Sequence, residues 1–468
     1  MKDILAPVRN GESLTGRQEL WLIARLSLPA ILAQISSIMM QYIDASMVGR
    51  LGTNAAASIG LVSTSTWLIG GVGSALATGF TVQVAHAMGA KEEQKARNIV
   101  RYGLISAITI SLLVMALCAV LGPLIPVWMG ADPNIRKDAS LYFMIFGFSF
   151  PFLAIDYAAG GMLQCSGNMR VPSILNISMC FLDVIFNYIF IFEPSNLSIF
   201  GFSLKMPGLG LGVLGAALGT ACAEIFCALS MLFFLLAKSE TLSLRREKYL
   251  LPYIQVLKKA LKISIPIAFE SAIMGMAYVA STKIVTPLGV SSISAHSFSI
   301  TVESLCYMPG YGISQAATTV VGQCVGANRK DLARRLGWMT VGLGVFCMAM
   351  TGLLMYIYAP YMIGFLTNDS EIRELGNTIL RIEAFAEPMY AVSIVATGIL
   401  RGYADTLIPS LMNLFSMWCV RIPLSAYLAA SMGLKGVWIA MAGELIFRGL
   451  IYFVRLVRKD LEIKKSAC

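Results

Sequence analysis

Charged side chains are scarce in this chain. Only 13% of its 468 residues are Asp, Glu, Lys or Arg, while 57% are hydrophobic. A soluble domain carries about 25% charged residues. Three uncharged stretches, 51–85, 102–131 and 336–368, each exceed the roughly 20 residues that cross a bilayer. The composition excludes an ordinary soluble protein. It predicts an all-α polytopic membrane protein, because a β-barrel would show alternating segments of about ten residues.

Residues that enzymes use for chemistry are also few. The chain has two histidines, His86 and His296, and its ten cysteines lie almost all in apolar runs without metal-binding or disulfide spacing. It has no Gly-x-x-x-x-Gly-Lys-Ser/Thr phosphate-binding loop. These absences argue against an intramembrane metalloenzyme and against an ATP-driven pump. The sequence therefore predicts a protein that is not an enzyme and carries no cofactor.

The net charge of +10 is spread in a way that argues against nucleic-acid binding. Basic residues gather at the ends of hydrophobic segments, above all in 238–262, 329–335 and 455–465. Lys and Arg are enriched in cytoplasmic loops of membrane proteins. The bias predicts a multi-pass protein of the cytoplasmic membrane with both termini in the cytoplasm. Its expected partners are the lipid bilayer and small molecules.

Hydropathy divides the chain into twelve hydrophobic spans, and an even number leaves both termini on one side of the membrane. We expect a six-helix lobe in 1–237, a cytoplasmic link in 238–253, and a second six-helix lobe with a cytoplasmic tail in 254–468. The spans are predicted at 22–46, 55–85, 96–125, 138–163, 171–193, 211–237, 254–283, 292–321, 332–364, 376–400, 407–430 and 434–457.

The two halves of the chain repeat each other at one constant offset. Pro29 matches Pro266 and Gly89 matches Gly326, and the correspondence continues through the fifth span, after which the first half has a longer loop, 193–209. Since each half has six spans, the halves are parallel repeats related by a pseudo-two-fold axis along the membrane normal. This architecture is typical of a transporter whose two lobes enclose a cavity, and it predicts a chain that functions as a monomer.

Several motifs stand in a fixed order along these repeats. They are Asp44 to Gly52, the paired loops Met88-Gly89-Ala90 and Val325-Gly326-Ala327-Asn328, and the segments Ser166 to Pro172 and Arg401 to Pro409. Together they resemble the multidrug and toxic compound extrusion (MATE) family over nearly the whole chain. The resemblance implies export of organic substrates coupled to inward movement of Na⁺ or H⁺. In one departure, the family's fifth span often carries Asn and then Asp four residues later, whereas here Asp183 precedes Asn187.

Four polar residues from spans one, five and six form a first candidate site: Asp44, Asp183, Asn187 and Thr220. A carboxylate inside an apolar span costs roughly 2.5–3.5 kcal/mol on insertion scales and usually handles a cation or a proton. Carboxylate, amide and hydroxyl oxygens suit a hard cation, and neighbouring carboxylates also suit a proton. In the alternative interpretation, Asp183 and Asn187 only join helices, and Asp44 pairs with Arg50.

Two carboxylates of the second half, Glu270 and Glu387, form a second candidate site for cation or substrate. Glu270 follows Pro266 and Glu387 precedes Pro388, and proline frees backbone carbonyls that can join a polar site. A branch of the family that resembles NorM uses carboxylates in these two spans. The alternative is a structural pair between Glu387 or Glu383 and Arg381.

Three further residues complete the expectations. Asp156 and Glu303 are additional candidates for the cavity, and Pro29, about four turns before Asp44, is a candidate hinge in the first span. Glycine-rich stretches in the second and eighth spans favour tight helix packing. No metal is expected beyond Na⁺.

The sequence thus predicts a cation-coupled antiporter that exports organic, often cationic, drugs or metabolites by alternating access. Within transport, a narrow exporter of one metabolite and a lipid-linked oligosaccharide flippase stay open as alternatives. A flippase would need Arg and Lys in its cavity to hold pyrophosphate, whereas the deep charges here are mainly acidic. An ion channel is a further alternative of a different class. Channels usually assemble around an axis between subunits, whereas this chain is expected to build its two-lobed cavity by itself.

Overall fold

Twelve membrane spans in two six-helix lobes make up the computed structural model, which describes residues 4–199, 202–244, 252–367 and 369–465. This architecture confirms the predicted fold class. The first lobe contains the spans α2 (Gly16–Gly49), α3 (Thr53–Gly89), α4 (Glu93–Leu121), α6 (Pro133–Cys165), α7 (Arg170–Ile191) and α8 (Val213–Phe233), with the short helices α1 (Ala6–Asn10) and α5 (Ile125–Trp128).

The second lobe follows the same order. Residues 245–251 of the predicted link lie outside the described part of the chain. The helices of this lobe are α9 (Tyr253–Val285), α10 (Val290–Gly326), α11 (Lys330–Leu366), α12 (Ser370–Ala384), α13 (Glu387–Gly402), α14 (Leu407–Phe415), α15 (Ile422–Met432) and α16 (Leu434–Lys465).

Most helices extend beyond the hydrophobic stretches that predicted them. Ten of them, counting α14 to α15 as one, are long and apolar enough to cross a bilayer within the described ranges. The two remaining spans are α10, which is rich in Ser, Thr and Gly, and the predicted tenth span 376–400. That tenth span is broken by a turn at Phe385 and Ala386, so it consists of α12 and α13. The break places Glu387 at a helix start rather than inside a continuous helix.

Two local features depart from uninterrupted helix. A π-helical segment, Ser416–Arg421, joins α14 to α15, and a second one, Phe234–Lys238, extends α8. The longer loop of the first half forms a small antiparallel hairpin of β1 (Ser195–Ile199) and β2 (Phe202–Met206). The predicted all-α fold is confirmed, and this hairpin is an addition to it.

Buried apolar clusters fill the lobes and continue across their interface, and the lobes meet chiefly along three helix pairs, one of which is α3 with α10. In the first lobe α3 and α8 pack on α6, and α7 packs on α2 and α8. In the second lobe α10, α11 and α16 pack on α13. Between the lobes, α2 lies along α10 and α3 lies along α9. The corresponding helices of the two repeats therefore occupy corresponding places on either side of the interface.

The lobes approach each other most closely on the side of the membrane where both termini lie, which we call the terminal side. A Cβ on Gly79 would lie 2.5 Å from the Ala260 carbonyl oxygen of the other lobe. Towards the other end of α3, which we call the opposite side, a Cβ on Gly60 or Gly70 would have no described atom within 4 Å. The lobes are thus in backbone contact on the terminal side, whereas the space beside Gly60 and Gly70 on the other half of α3 is open.

Candidate functional site

The structure brings the four residues of the first candidate site together. The Asn187 side-chain amide donates to Asp44 Oδ1 at 2.9 Å and to Asp183 Oδ2 at 3.0 Å. Thr220 of α8 lies within electrostatic range of the Asp183 carboxylate. Because Asp183 and Asn187 stand four residues apart on α7, both face the same side of that helix. One polar site is therefore assembled from α2, α7 and α8.

Burial and small residues shape this site. Asp183 is 0% exposed and Asn187 is 1% exposed, while Asp44 is half-buried. Gly219 lets α8 approach α7, since a Cβ there would lie 2.1 Å from Asn187 Oδ1. Asp183 Oδ1 and Asn187 Oδ1 are buried without a hydrogen-bond partner in the described part of the chain. Buried oxygen atoms without donors are suited to a hard cation.

The alternative pairing of Asp44 with Arg50 does not occur between these two described residues. Arg50 is exposed at the end of α2, and Asp44 accepts its hydrogen bond from Asn187. Pro29 lies inside the continuous helix α2, where its missing N–H leaves a gap in the helical hydrogen bonds. Its role as a hinge stays a prediction.

A second layer of acidic and aromatic residues lies next to this site. Asp156 accepts a hydrogen bond from the Cys227 thiol at 3.3 Å. Glu224 is 9% exposed, and its Oε2 has no partner among the residues described. Tyr142 lies within electrostatic range of Asp44 and Glu224. Glu224 was not among the predicted site residues, although it follows Thr220 by four residues and so shares its helix face.

The two carboxylates of the second candidate site have different surroundings. Glu270 on α9 accepts hydrogen bonds from Ser410, at 2.6 Å, and from Asn413, both on α14. Glu387 starts α13 and is 0% exposed, and neither of its carboxylate oxygens has a hydrogen-bond partner within the described ranges. No direct contact between these two described side chains is present, and their joint role as one site stays a prediction.

Glu387 belongs to a buried acidic cluster that the sequence analysis recognised only in part. Glu383, one turn earlier on α12, is also 0% exposed with two oxygens lacking a described partner. Glu303 on α10 is 5% exposed and interacts electrostatically with both residues. The expected partner Arg381 instead donates to the Tyr356 carbonyl oxygen. Glu383 was predicted only as a structural partner of Arg381, and it lies instead in electrostatic range of Glu303 and Glu387.

A buried ion pair lies beside this cluster. Arg448 donates twice to Glu444 one turn earlier on α16, at 2.7 and 2.8 Å. Glu444 also accepts from Ser416 and lies 4.0 Å from Arg421. Arg448 is 7% exposed, so salt bridging rather than snorkelling explains its depth. The Glu444 carboxylate thereby offsets the charge of one buried guanidinium, and Glu303, Glu383 and Glu387 make no described salt bridge beside it.

Comparisons with known proteins agree with this architecture. The MatE family model matches residues 29–189 and 266–427, which are corresponding parts of the two repeats. A relative from Thermotoga maritima, "Probable multidrug resistance protein NorM", is 27% identical over 443 residues, covering 92% of this chain and 91% of the relative. A relative from Burkholderia vietnamiensis, "Multidrug resistance protein NorM", is 26% identical over 434 residues, covering 90% of each chain.

A solved structure has the same fold. It is described as "Outward-facing conformation of a multidrug resistance MATE family transporter of the MOP superfamily". The two chains superpose with a TM-score of 0.88 at 18% identity, covering 98% of each. At this level of identity the likeness concerns the fold.

Proposed function

We propose, because this chain belongs to the MatE family, that it is a multidrug antiporter that exports small organic, often cationic, drugs or metabolites in exchange for Na⁺ or H⁺. The observation that carries this proposal is that each of the two lobes holds its own buried acidic region. A coupling cation bound in one acidic region and a cationic drug bound in the other repel each other, so the binding of one weakens the binding of the other. The coupling ion is the only cofactor the mechanism needs.

In the first lobe, Asp44, Asp183, Asn187 and Thr220 would hold the coupling ion. The buried oxygens of Asp183 and Asn187 that lack described partners support this role. Asp156 and Glu224 would extend the polar path from this site. A cation that reaches the two carboxylates removes their repulsion and allows α2 and α7 to pack more closely. Pro29 would let α2 bend as that packing changes.

In the second lobe, Glu270, Glu387 and Glu303 would bind either a cation or a cationic substrate. Two hydrogen-bond donors hold the Glu270 carboxylate in a fixed position. Glu387 has no described donor and is suited to accept a proton or a ligand. The Tyr307, Tyr311 and Tyr390 rings pack against one another near this cluster, and aromatic faces attract organic cations.

Alternating access would follow from rocking of the two lobes. The terminal side is closed by backbone contacts, and the other half of α3 has open space beside Gly60 and Gly70, as expected if a monomer releases its substrate on the opposite side. With both termini in the cytoplasm, that release would be outward from the cell membrane.

Ethidium efflux from proteoliposomes, with Na⁺ and pH gradients imposed separately, tests the proposal. We expect at least one inward cation gradient to drive ethidium transport and the uncoupled condition to leave it at background. Equal ethidium movement with and without both gradients would exclude antiport. Efflux of neutral compounds alone would favour a narrower exporter.

A further inference from the structure

Two hydrogen bonds close the terminal side, and they are related by the internal repeat. His86 Nε2 donates to the Gly402 carbonyl oxygen at 2.8 Å, and Gln323 Nε2 donates to the Cys165 carbonyl oxygen at 2.7 Å. Each bond runs from one lobe to the other. The two donors occupy equivalent positions in the two repeats, and so do the two acceptors. We call these two bonds the terminal-side gate, because the lobes cannot separate there without breaking both.

The N-terminal segment, residues 4–12, adds a brace to one of the two bonds. Arg9 Nε donates to Gln323 Oε1 at 3.1 Å, and Arg9 Nη2 donates to the Ser166 carbonyl oxygen at 3.3 Å. Gln323 belongs to α10 of the second lobe, and Ser166 follows α6 of the first. A single guanidinium therefore holds both sides of the gate.

Arg329 of the second lobe holds this segment in place. Its guanidinium donates to the carbonyl oxygens of Pro7, at 3.3 Å, Val8, at 3.2 Å, and Glu12, at 2.8 Å. Pro7 and Val8 belong to the short helix α1 and Glu12 follows it, and the Pro7 carbonyl also accepts from the Gly11 and Glu12 N–H groups. Arg329, in the turn between α10 and α11, thus binds the backbone of the N-terminal segment through three hydrogen bonds.

Apolar packing fixes the same segment between the lobes. Leu5 and Val8 are both 0% exposed and belong to the core that also contains Ala317 and Val320 of α10. On the first lobe, a Cβ on Gly167 would lie 3.2 Å from Leu5 Cδ1. Burial of these apolar side chains stabilises the docked segment. The segment is therefore anchored to both lobes at once.

We propose that residues 4–12 form a latch that holds the terminal-side gate closed and thereby sets the balance between the two access states. The inference rests on the proposed alternating-access function and names Arg9 and Arg329 as its positioning residues. When the terminal side opens, Gln323 and Ser166 move apart, so Arg9 must release one of them. Loss of the latch then favours the state that is open on the terminal side.

Hydrogen exchange measured by mass spectrometry on the purified full chain, without substrate, tests the latch directly. In Arg9→Gln we expect faster exchange at the turns 163–170 and 323–330. We also expect slower exchange at 49–56 and 285–293 on the opposite side, because that side closes as the terminal side opens. Loss of two hydrogen bonds from a charged donor should change the ratio of the two states by about tenfold.

Matched variants make the outcome decisive. Arg329→Gln should act in the same direction, and the double variant should add little, since both arginines act through one segment. Arg17→Gln removes one exposed charge near the same end of the molecule and should change nothing. If Arg9→Gln does not fold, Val8→Ala loosens the same segment more mildly and takes its place.

Two results would overturn the latch. One is faster exchange at the terminal-side turns with no added protection on the opposite side, which is the signature of local loosening. The other is an equal change in hydrogen exchange in Arg17→Gln, which would mean that the loss of any positive charge at this end of the molecule has the same effect. The exchange experiment does not depend on transport. If it succeeds while ethidium efflux fails, the latch stands and the proposed substrate class or coupling is wrong.

Discussion

Gly89 and Gly326 make the same contact from opposite lobes. A Cβ on Gly89 would lie 2.0 Å from the Gln323 carbonyl oxygen, and a Cβ on Gly326 would lie 2.0 Å from the His86 carbonyl oxygen. The two glycines are equivalent positions of the repeat, and so are the two residues whose carbonyls they meet. The ends of α3 and α10 therefore cross in mutual backbone contact on the pseudo-two-fold axis. Only glycine leaves the space for this crossing.

Gly89→Ala should prevent the terminal side from closing. A methyl group at 2.0 Å from a backbone oxygen cannot be accommodated without moving a helix, and overpacking of this kind costs about 1–3 kcal/mol. We expect efflux to fall at least tenfold in a protein that still folds. Gly60→Ala lies on the same helix with no described atom within 4 Å of the new methyl group and should transport normally. Equal transport by the two variants would contradict this assignment.

Asp44→Asn should abolish cation-driven efflux. The substitution removes one of the two carboxylates that Asn187 bridges, yet it preserves the shape of the side chain. Thermal stability should stay within about 1 kcal/mol of wild type, because the asparagine oxygen can still accept the hydrogen bond from Asn187. Asp138→Asn, at an exposed position on α6, is the matched control. Near-normal efflux by Asp44→Asn would show that the coupling ion binds elsewhere.

Glu270→Gln and Glu387→Gln should each impair transport, with a loss that depends on the charge of the substrate. Cationic drugs should lose more than neutral ones, because each variant removes a negative charge that opposes the drug. The measurement is the ratio of cationic to neutral drug efflux in each variant. Glu374→Gln, exposed on α12, should leave this ratio unchanged. Wild-type efflux of both classes of drug would make these carboxylates structural.

Glu444→Gln should destabilise the folded protein by about 3 kcal/mol. It leaves the Arg448 guanidinium buried without its counter-charge, and breaking one side of a buried pair typically costs about 3–5 kcal/mol. Thermal unfolding in detergent measures the change. Glu462→Gln, whose side chain is 54% exposed, should shift the melting temperature little. Replacing both Glu444 and Arg448 with Leu and Met should recover most of the loss, and failure to recover would assign the pair a further role.

Drug and coupling ion should weaken each other's binding. A cation at Asp44 and Asp183 changes the packing of α2 and α7, so the drug loses its counter-charge or its cavity. Linkage requires the effect to be reciprocal, by a factor of typically about 5–150. Equilibrium binding of a fluorescent cationic drug should be reduced by Na⁺ at fixed pH, by H⁺ at fixed Na⁺, or by both. Asp44→Asn should lose this response, and drug affinity indifferent to both ions would exclude antiport.

Hydropathy and the repeat predicted much of the fold. The first span was placed within a few residues because Leu26 to Ile43 carries no charge, and a bilayer requires about 20 apolar residues. The polar face of Asp183 and Asn187 followed from their spacing of four. The break at Phe385 and Ala386 was not predicted, because hydropathy does not distinguish two short helices in line from one long helix.

The sequence by itself determined that this is a two-fold repeated helical membrane protein with carboxylates at depth. Periodicity, length and the constant offset between the repeats are properties of the chain that need no partner. Only the tertiary structure decided which carboxylates meet. It joined Asp44 to Asp183 through Asn187, placed Glu270 against Ser410 of α14, and buried Leu5 and Val8 between the lobes. These outcomes depend on which faces of distant helices pack together, and residues far apart in sequence carry no local signal of that choice.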